Sequence, residues 1–541
     1  MAFRHGFPNI VSHRKPDEKG RLPAVYNGWM LDRSGALLLL IGSVSTLYAS
    51  DWLMFGGNPQ RTGWVQGETE IGRKNAKDLA VLWKIKLDNE AREMTALTAP
   101  VAAEWVVTQS GMKEIVIVGG ASDNLFAIDA ETGKLLWKKT FTPEGKPKGA
   151  PSWLCPNALN ATPVIGKNGL DVRVYSIASD GKLHVLDIHN GEDKAPPVQF
   201  VPPYSKNWSL GMQRNVLYTT TSQGCNGARP GVYAMDLSSA DRKVSFFQAS
   251  SGSAGIWGRA GAVISPSGTV YAQTGDGAYD DAAGKLPDTV IQLSSPELKL
   301  MDYYTPSNHA YLTRKDLDTG SMSAVYFTLG KRELIASGGK EGRIALLDAK
   351  AIGGGDHATP VSKSPLWVNE EADFAGKGFW GSFASWQDEA GERWLYVPAL
   401  GAASPNAPAF PHTNGPAPNG SVMGFKIGEE GGKPVVTPQW ISRDMNLPDP
   451  PIVSNGVVYA VSTGEFARQW KADGGLFSSP ERIAQHTGNA ILYAFDSSTG
   501  KELYSSGNAM PSWTHFSGIA LSGGKIFVAT FDSTLYAFGL K

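Results

Sequence analysis

Short apolar stretches separated by polar turns recur along the chain, and most of them contain the same phrase: an aromatic or apolar residue, two further residues and an aspartate. Clear copies end at Asp129 ("FAID"), Asp187 ("HVLD"), Asp236 ("YAMD"), Asp348 ("ALLD") and Asp496 ("YAFD"), and degenerate copies end at Leu293, Lys426 and Gly539. A β-rich run such as "EIVIVGG" or "KIFVATF" precedes each copy, and another strand mostly follows it. The pattern predicts eight repeats of four strands, A to D, with the aspartate at the turn between C and D.

The last repeat lacks a fourth strand, because the chain ends three strands into it. An unassigned strand, residues 80–87 ("AVLWKIKL"), stands before the first complete repeat and has the ending that a strand D should have. Pairing it with the last three strands would close a ring and remove the open sheet edges. We therefore predict an all-β fold, an eight-bladed β-propeller of four-stranded antiparallel blades over residues 50–541, closed by an N-terminal strand.

The N-terminal residues have a different character. Residues 36–48 ("ALLLLIGSVSTLY") form an apolar run of signal-peptide length, shorter than the roughly 20 residues of a spanning helix. We predict that residues 1–49 are a disordered leader plus a signal peptide, with translation starting at Met1 or Met30. A buried strand or an uncleaved anchor is the alternative. The signal predicts a periplasmic or extracellular protein with no membrane span in the mature chain.

Charge and cysteine content limit the kinds of partner and cofactor that the chain is expected to bind. The chain has 50 Lys+Arg and 51 Asp+Glu, a formal net charge of -1, so no overall field would attract nucleic acid. A small-molecule ligand or a periplasmic protein is the expected partner. Cys155 and Cys225 fall in predicted loops on one face of adjacent blades, and we predict a disulfide between them. No C-x-x-C-H motif occurs, so covalent haem is not expected.

Several segments resemble a known repeat family. "AIDAETGKLLWKK", its echo "AFDSSTGKELYSS" and the leading "DWLMFGGNPQRTGW" are similar to the repeat of the pyrroloquinoline quinone (PQQ) propellers. That family includes the quinoprotein alcohol dehydrogenases and the scaffold lipoprotein of the bacterial outer-membrane barrel-assembly machine. The resemblance covers residues 51–541 and leaves two functions open: a PQQ-dependent, dehydrogenase-like oxidoreductase and a non-catalytic protein-binding scaffold.

The tryptophans fall into two predicted groups. Those on predicted D strands, where rings pack between blades, are Trp83, Trp137, Trp367 and Trp440. Those in the connections from D to A are Trp153, Trp208, Trp257, Trp380 and Trp513. The family resemblance implies that the second group supplies the floor under a flat cofactor; plain packing is the alternative for each. Four long B-to-C loops, residues 222–231, 275–288, 399–420 and 462–489, share this face, which we expect to carry the function.

Three motifs on that face resemble parts of the quinoprotein dehydrogenase site. "IASGGKEGRIALLDAK" is similar to the segment whose cation contacts the quinone oxygens, which implies that role for Lys340. "YAQTGDGAYDD" resembles a calcium-binding loop and implies Asp276 and Asp280 as ligands; a solvated acidic loop is the alternative. "YTPSNHAYLTRKDLDTG" falls where the general-base aspartate lies, which implies Asp318 first and Asp316 second; an ordinary turn aspartate is the alternative.

The chain also departs from the dehydrogenase pattern. It has no adjacent Cys-Cys pair, and the loop "SQGCNGARPG" has no acid where a calcium-binding glutamate is expected. A set of residues close to the propeller axis nevertheless fits an anionic planar ligand or the side chains of a partner. The cofactor-binding candidates are Lys340, Arg259, Trp257, Trp380, Trp513 and His515. PQQ and calcium are the cofactors that the resemblance implies.

Overall fold

The computed structural model describes residues 50–249, 255–368, 377–486 and 488–541. The predicted leader and signal peptide, residues 1–49, lie outside the described residues. Among the described helices, none is long and apolar enough to cross a membrane.

The described chain folds into eight antiparallel blades arranged as a β-propeller, as predicted. The first strand, β1 (Leu79–Lys86), belongs to the last blade. Blade 1 comprises β2 (Val101–Thr108), β3 (Gly111–Gly120), β4 (Asn124–Asp129) and β5 (Leu135–Thr140). Blade 2 comprises β6 (Val164–Asn168), β7 (Asp171–Ile177), β8 (Lys182–Asp187) and β9 (Val198–Gln199). Blade 3 comprises β10 (Lys206–Asn207), β11 (Gly211–Gln213), β12 (Val216–Ser222), β13 (Gly231–Asp236) and β14 (Val244–Gln248). Blade 4 comprises β15 (Val263–Ile264), β16 (Val270–Gln273), β17 (Val290–Leu293) and β18 (Leu300–Tyr304).

The second half of the ring repeats this order with additional short strands before blade 5 and in blade 6. A short strand, β19 (Met322–Ser323), precedes blade 5, which comprises β20 (Val325–Leu329), β21 (Arg332–Gly338), β22 (Ile344–Asp348) and β23 (Ser362–Lys363). Blade 6 comprises β24 (Gly378–Phe379), β26 (Ala384–Gln387), β27 (Arg393–Leu400), β28 (His412–Thr413), β29 (Gly420–Glu430) and β30 (Lys433–Ile441), while β25 (Gly381–Ser382) pairs in parallel with β19. Blade 7 comprises β31 (Ile452–Ser454), β32 (Val457–Ser462), β33 (Ile491–Asp496) and β34 (Glu502–Ser505). Blade 8 comprises β35 (Ile519–Ser522), β36 (Lys525–Ala529), β37 (Thr534–Leu540) and β1.

Helices are short and lie in the connections. Within the described ranges there are two α-helices, α1 (His309–Lys315), between blades 4 and 5, and α2 (Ser479–Ala484), in the long loop of blade 7. Single 3₁₀ turns occur at Ala76–Asp78, Cys225–Gly227 and Thr319–Ser321.

The ring closes as the sequence predicts. Strand β1 pairs with β37 in antiparallel register, from Leu79 opposite Leu540 to Lys86 opposite Thr534. The A strands contact one another in order around the ring, β2, β6, β11, β15, β20, β26, β31 and β35, and β35 contacts β2 again. Closure therefore joins the two ends of the propeller and leaves no blade without a neighbour.

The repeated aspartate shapes the turn between strands C and D. In blade 1, Asp129 Oδ1 accepts hydrogen bonds from the backbone N–H groups of Glu131 and Thr132, at 3.1 and 3.0 Å. In blade 7, Asp496 Oδ1 accepts from Thr499 in the same way, at 3.0 Å. A short carboxylate bonding to backbone two or three residues on is the usual way in which aspartate stabilises a turn.

Three of the predicted outer tryptophans lock neighbouring blades together. Trp83 Nε1 donates to Ala130 O of blade 1 at 2.8 Å, and its ring lies against Gly133, where a Cβ atom would be only 2.6 Å from the indole. Gly133 has φ +68°, so glycine suits both the turn and the contact. Trp137 and Trp440 make the equivalent bonds to blades 2 and 7. Trp367 packs against Phe425 of blade 6 as predicted, with ring centroids 4.9 Å apart, but the strand assignment was wrong because β23 ends at Lys363.

An inner segment, residues 52–68, runs around the inside of the ring. Hydrogen bonds join it to one residue in or beside each blade, in chain order: Ala102, Ile165, Leu210, Ile264, Tyr326, Ser385, Val453 and Gly524. Arg61, which is 1% exposed, donates to the carbonyl oxygens of Phe55, Leu210 and Ala262. The segment therefore satisfies backbone groups of the A strands that would otherwise face the centre of the ring.

Candidate functional site

A central pocket of about 320 Å³ lies on the predicted functional face. Its walls come from D-to-A connections and B-to-C loops of blades 2 to 8. A volume of a few hundred Å³ is that of an ordinary small-molecule site. The ring fold builds the pocket by bringing loops that are distant in sequence to one mouth.

One end of the pocket is acidic. Asp276 from the blade 4 loop and Asp316 and Asp318 from the connection to blade 5 each place a carboxylate oxygen within 4.8 Å of the other two. Lys340, in the B-to-C turn of blade 5, places Nζ at 2.6 Å from Asp316 Oδ1 and 2.9 Å from Asp318 Oδ2. The structure thus brings together four residues that the sequence assigned to three separate motifs.

Burial and the charge of Lys340 act in opposite directions on the pKa values of Asp276 and Asp318. Burial raises the pKa of Asp318 well above its usual range, and Lys340 opposes that shift. Burial also raises the pKa of Asp276, with a further contribution from Asp316. Burial alone would lower the pKa of Lys340, but the two aspartates outweigh it and the net shift is upward. The three carboxylates therefore lie beside a single ammonium group, which contacts two of them.

Two predicted floor tryptophans form the adjoining wall. The rings of Trp257 and Trp380 meet edge to face, with centroids 5.5 Å apart and planes at 64°. Lys340 Nζ lies 5.1 Å from the Trp257 centroid and 5.3 Å from that of Trp380. Both indoles line the pocket and contact the ammonium group of Lys340, so they do more than fill space between blades.

A second, cationic part of the pocket contains residues that were not predicted from the sequence. Lys206, from β10, donates to Trp153 O at 3.2 Å and lies 5.2 Å from the ring centroid of Trp208. Arg482, from α2, lies over the Trp153 ring at 4.6 Å and bonds to Glu465 at 2.7 Å. All five side chains line the pocket. The only sequence signal for Lys206 was its place two residues before Trp208 in a D-to-A connection.

Four predicted site residues lie outside the pocket lining. Arg259 forms a buried ion pair with Asp449. His515 is buried against Glu465, with Nδ1 at 2.8 Å from Oε2. The remaining two are Trp513, which stacks on Phe531, and Asp280, which pairs with Lys285.

These positions follow from local contacts. Burial lowers the pKa of His515 to about 4, although Glu465 opposes the shift. Arg259 and His515 therefore form a layer behind the pocket wall, since each is committed to an acidic partner. Asp280 and Lys285 exchange backbone hydrogen bonds within the blade 4 loop, which holds Asp280 away from Asp276. The acidic cluster therefore consists of Asp276, Asp316 and Asp318.

Loops on this face are held by covalent and polar links. Cys155 and Cys225 form the predicted disulfide, with Cα atoms 5.5 Å apart. Their neighbours Leu154 and Gln223 line the pocket. In the blade 7 loop, Ser478 and Glu481 form a capping box that starts α2, and Trp153 Nε1 donates to the Phe477 carbonyl at 2.8 Å. The helix that carries Arg482 is thereby fixed against the opposite wall.

The acidic end fits a hard cation. Its three carboxylates are oxygen ligands of the kind that calcium and similar ions prefer. Asp318 is 1% exposed, and its Oδ1 atom has no hydrogen-bond partner among the described residues, a costly arrangement unless something else binds it. An anionic quinone alone does not fit this end, since three carboxylates around one ammonium repel it. A cation and an anionic planar ligand together do fit, with Lys340 and the two indoles as further contacts.

Comparisons with known proteins support the fold and the repeat. Residues 60–243 match the family model described as "Outer membrane protein assembly factor BamB". No curated protein sequence matches the chain significantly. The europium-containing methanol dehydrogenase structure is 14% identical, with a TM-score of 0.56, over 91% of this chain and 98% of that one.

Two further solved structures give the same result. The quinohemoprotein alcohol dehydrogenase from Comamonas testosteroni is 13% identical, with a TM-score of 0.54, over 92% of this chain and 81% of that one. Quinohemoprotein alcohol dehydrogenase ADHIIG from Pseudomonas putida HK5 is 12% identical, with a TM-score of 0.55, over 91% and 80%. At such identities the likeness concerns the fold. The predicted resemblance to PQQ-type propellers is confirmed.

Proposed function

We propose that this chain is an oxidoreductase that binds PQQ and a hard cation in the central pocket and oxidises a small alcohol. The observation that carries the proposal is the convergence of Asp276, Asp316, Asp318 and Lys340 beside Trp257 in one pocket. Two proteins of similar fold, a quinohemoprotein alcohol dehydrogenase and a europium-containing methanol dehydrogenase, support the same reaction class.

Different residues of the pocket would hold the cation and the quinone. Asp276, Asp316 and Asp318 would hold the cation, calcium or a trivalent ion, and Gln223 offers an amide where the resemblance expects a glutamate. Lys340 and the indole of Trp257 would contact the quinone. When bound, the quinone supplies the two-electron acceptor that no amino-acid side chain provides.

Asp318 is the proposed general base. Its carboxylate is buried and lines the pocket, so one oxygen would contact the cation while the other accepts a hydroxyl proton. Lys340 at 2.9 Å orients the carboxylate. Asp316, more exposed and bonded to the same ammonium, is the second candidate.

Reconstitution tests the proposal. The purified protein is mixed with PQQ and either Ca²⁺ or Eu³⁺ and desalted, and its quinone absorbance and ethanol oxidation with a redox dye are then measured. We expect retention of quinone that depends on the cation. Asp318→Asn should lower turnover by about 100-fold or more, the usual contribution of a general base.

Asp280→Asn is the matched control. It removes one carboxylate from the same loop as Asp276, but Asp280 lies outside the acidic cluster and pairs with Lys285. Turnover and quinone retention should be unchanged. Failure of the wild type to retain quinone with either cation would reject the enzyme proposal.

We propose that the protein works outside the cytoplasm. The disulfide between Cys155 and Cys225 supports an oxidising compartment such as the periplasm. Export would follow from the signal peptide predicted within residues 1–49.

A non-catalytic protein-binding scaffold is the second candidate. The match of residues 60–243 to the outer-membrane assembly factor model favours it. On this alternative the functional face would bind a protein partner, and quinone would not be retained.

A further inference from the structure

Lys206 is a buried pocket cation that has no acidic partner among the described residues. It is 7% exposed and lines the same central pocket as the acidic cluster. Its ammonium group donates one hydrogen bond, to Trp153 O, whereas an ammonium group carries three donors. Among the residues that the structure describes, no carboxylate lies within salt-bridge distance of its Nζ atom.

The surroundings of Lys206 are aromatic. Its Nζ atom lies 5.2 Å from the Trp208 ring centroid and 5.9 Å from that of Phe516. The two rings stand edge to face, with centroids 5.6 Å apart. Cation–π attraction offsets part of the cost of burial but uses none of the hydrogen-bond donors.

The other charged groups near Lys206 already have partners. Glu465 bonds to Arg482 at 2.7 Å and faces His515 at 2.8 Å. Arg482 opposes the charge of Lys206, and Glu465 favours it. Since Glu465 is engaged with two other groups, this end of the pocket has a local excess of positive charge.

We propose that Lys206, Trp208 and Phe516 form a carboxylate-binding subsite, which binds the carboxylate of a planar, mostly apolar ligand. The carboxylate would accept hydrogen bonds from the remaining N–H groups of Lys206, and the ligand's ring would lie against the indole of Trp208. The subsite requires neither the quinone nor the cation of the acidic cluster, so it goes beyond the proposed function.

The electrostatics of Lys206 fit this role. Burial lowers its pKa to about 7, followed by a smaller contribution from Arg482, so the group is only partly protonated near neutral pH. A bound carboxylate would favour the charged form and raise the pKa again. Binding near pH 8 should therefore be accompanied by proton uptake.

Calorimetric titration with benzoate, in the absence of quinone and added metal, tests the subsite. Benzamide, which has the same shape without the charge, is the matched ligand. We expect Lys206→Met to weaken benzoate binding by about tenfold or more, the usual effect of losing a charged hydrogen bond, and to leave benzamide binding unchanged. Lys134→Met, which removes an exposed lysine from the turn of blade 1, should change neither.

The wild-type titration has its own readout. Repeated at pH 8 in buffers of different ionisation enthalpy, it should reveal uptake of a proton fraction on benzoate binding, and Lys206→Met should abolish this uptake. Equal benzoate affinity in the wild type and Lys206→Met, or no benzoate binding by the wild type at millimolar concentration, would overturn the proposal.

The source of the carboxylate is decided by adding PQQ, itself a polycarboxylate. Competition between PQQ and benzoate, with weaker PQQ binding by Lys206→Met, assigns the subsite to the cofactor. Persistent, Lys206-dependent benzoate binding to PQQ-saturated protein assigns it to the substrate, which would then be a hydroxy acid. If PQQ is not retained at all, the proposed function fails while the benzoate result still stands.

Discussion

Replacing both cysteines by alanine, in the variant Cys155→Ala/Cys225→Ala, should lower the free energy of unfolding by about 4 kcal/mol. The disulfide joins residues 70 positions apart. Cross-linking a chain restricts its unfolded state, and the loop-closure estimate rises from about 3 kcal/mol for 15 residues to about 4.7 for 100. A loop of this length therefore corresponds to about 4 kcal/mol.

Urea unfolding followed by tryptophan fluorescence measures the difference. Wild-type protein kept in a reducing agent is the control, because it loses the bond and keeps both sulfur atoms. It should be destabilised by about the same amount as the double variant, with about 1 kcal/mol between them for the buried sulfur of Cys225. A loss below about 1 kcal/mol in both samples would refute the argument, since the bond would then not restrict the unfolded chain.

The same variant should also loosen one side of the pocket. Leu154 and Gln223 are pocket residues next to the two cysteines. Amide hydrogen exchange in residues 222–231 should become faster, whereas residues 399–420, which the bond does not reach, serve as an internal control. Equal acceleration of both loops would indicate general destabilisation rather than a local effect.

Three further changes test other parts of the structure. Gly133→Ala should destabilise the protein by about 2–4 kcal/mol in urea unfolding, because its methyl group meets the Trp83 ring, whereas Gly145→Ala, with φ +76° and open space, should cost about 1 kcal/mol. Lys206→Met should raise the free energy of unfolding at pH 7, because lowering the lysine pKa from 10.5 to about 7 costs the folded wild type at most about 5 kcal/mol. Between pH 7 and 10.5 the unfolded wild type binds more protons than the folded form, so the wild type gains stability as pH rises and its free energy of unfolding should approach that of the variant. Lys340→Ala should weaken PQQ binding by about tenfold to a hundredfold in equilibrium titration, and unchanged affinity would remove Lys340 from the quinone contacts.

The blades could be predicted because each repeat encodes its own local geometry. The aspartate of the C-to-D turn bonds to its neighbours in sequence, as Asp129 does to Thr132, so the phrase is visible without tertiary information. The closing strand was predictable for the same reason, since β1 carries Trp83 at the position of the other outer tryptophans. Trp367 shows the limit of this logic, because its blade's D strand is only two residues long.

The pocket could be predicted only in part. Asp276, Asp316, Asp318 and Lys340 were found because each belongs to a motif with a known counterpart. The cationic end was missed because Lys206 lies in a connection without periodicity, where the direction of a side chain depends on the tertiary path of the loops.

Arg259 and His515 were predicted to contact a cofactor close to the propeller axis, whereas the structure buries both outside the pocket lining. Asp449 pairs with the Arg259 guanidinium and Glu465 lies against the His515 imidazole, each from a distant part of the chain, and no local pattern predicts such pairing. Burial makes the Arg259–Asp449 pair necessary, because a charged group without a partner is costly in the interior.

The two proposed functions differ in which part of the chain they depend on. The match to the assembly factor model ends at residue 243, within blade 3, and so includes Lys206 but none of the acidic cluster. The carboxylates and the ammonium group lie between residues 276 and 340, in blades 4 and 5, outside the matched range. A scaffold has no evident need for three buried or half-buried carboxylates around one lysine, since unneutralised charge in a pocket destabilises the fold. A bound cation would remove that cost, and cation binding by blades 4 and 5 is therefore the property that distinguishes an enzyme from a scaffold here.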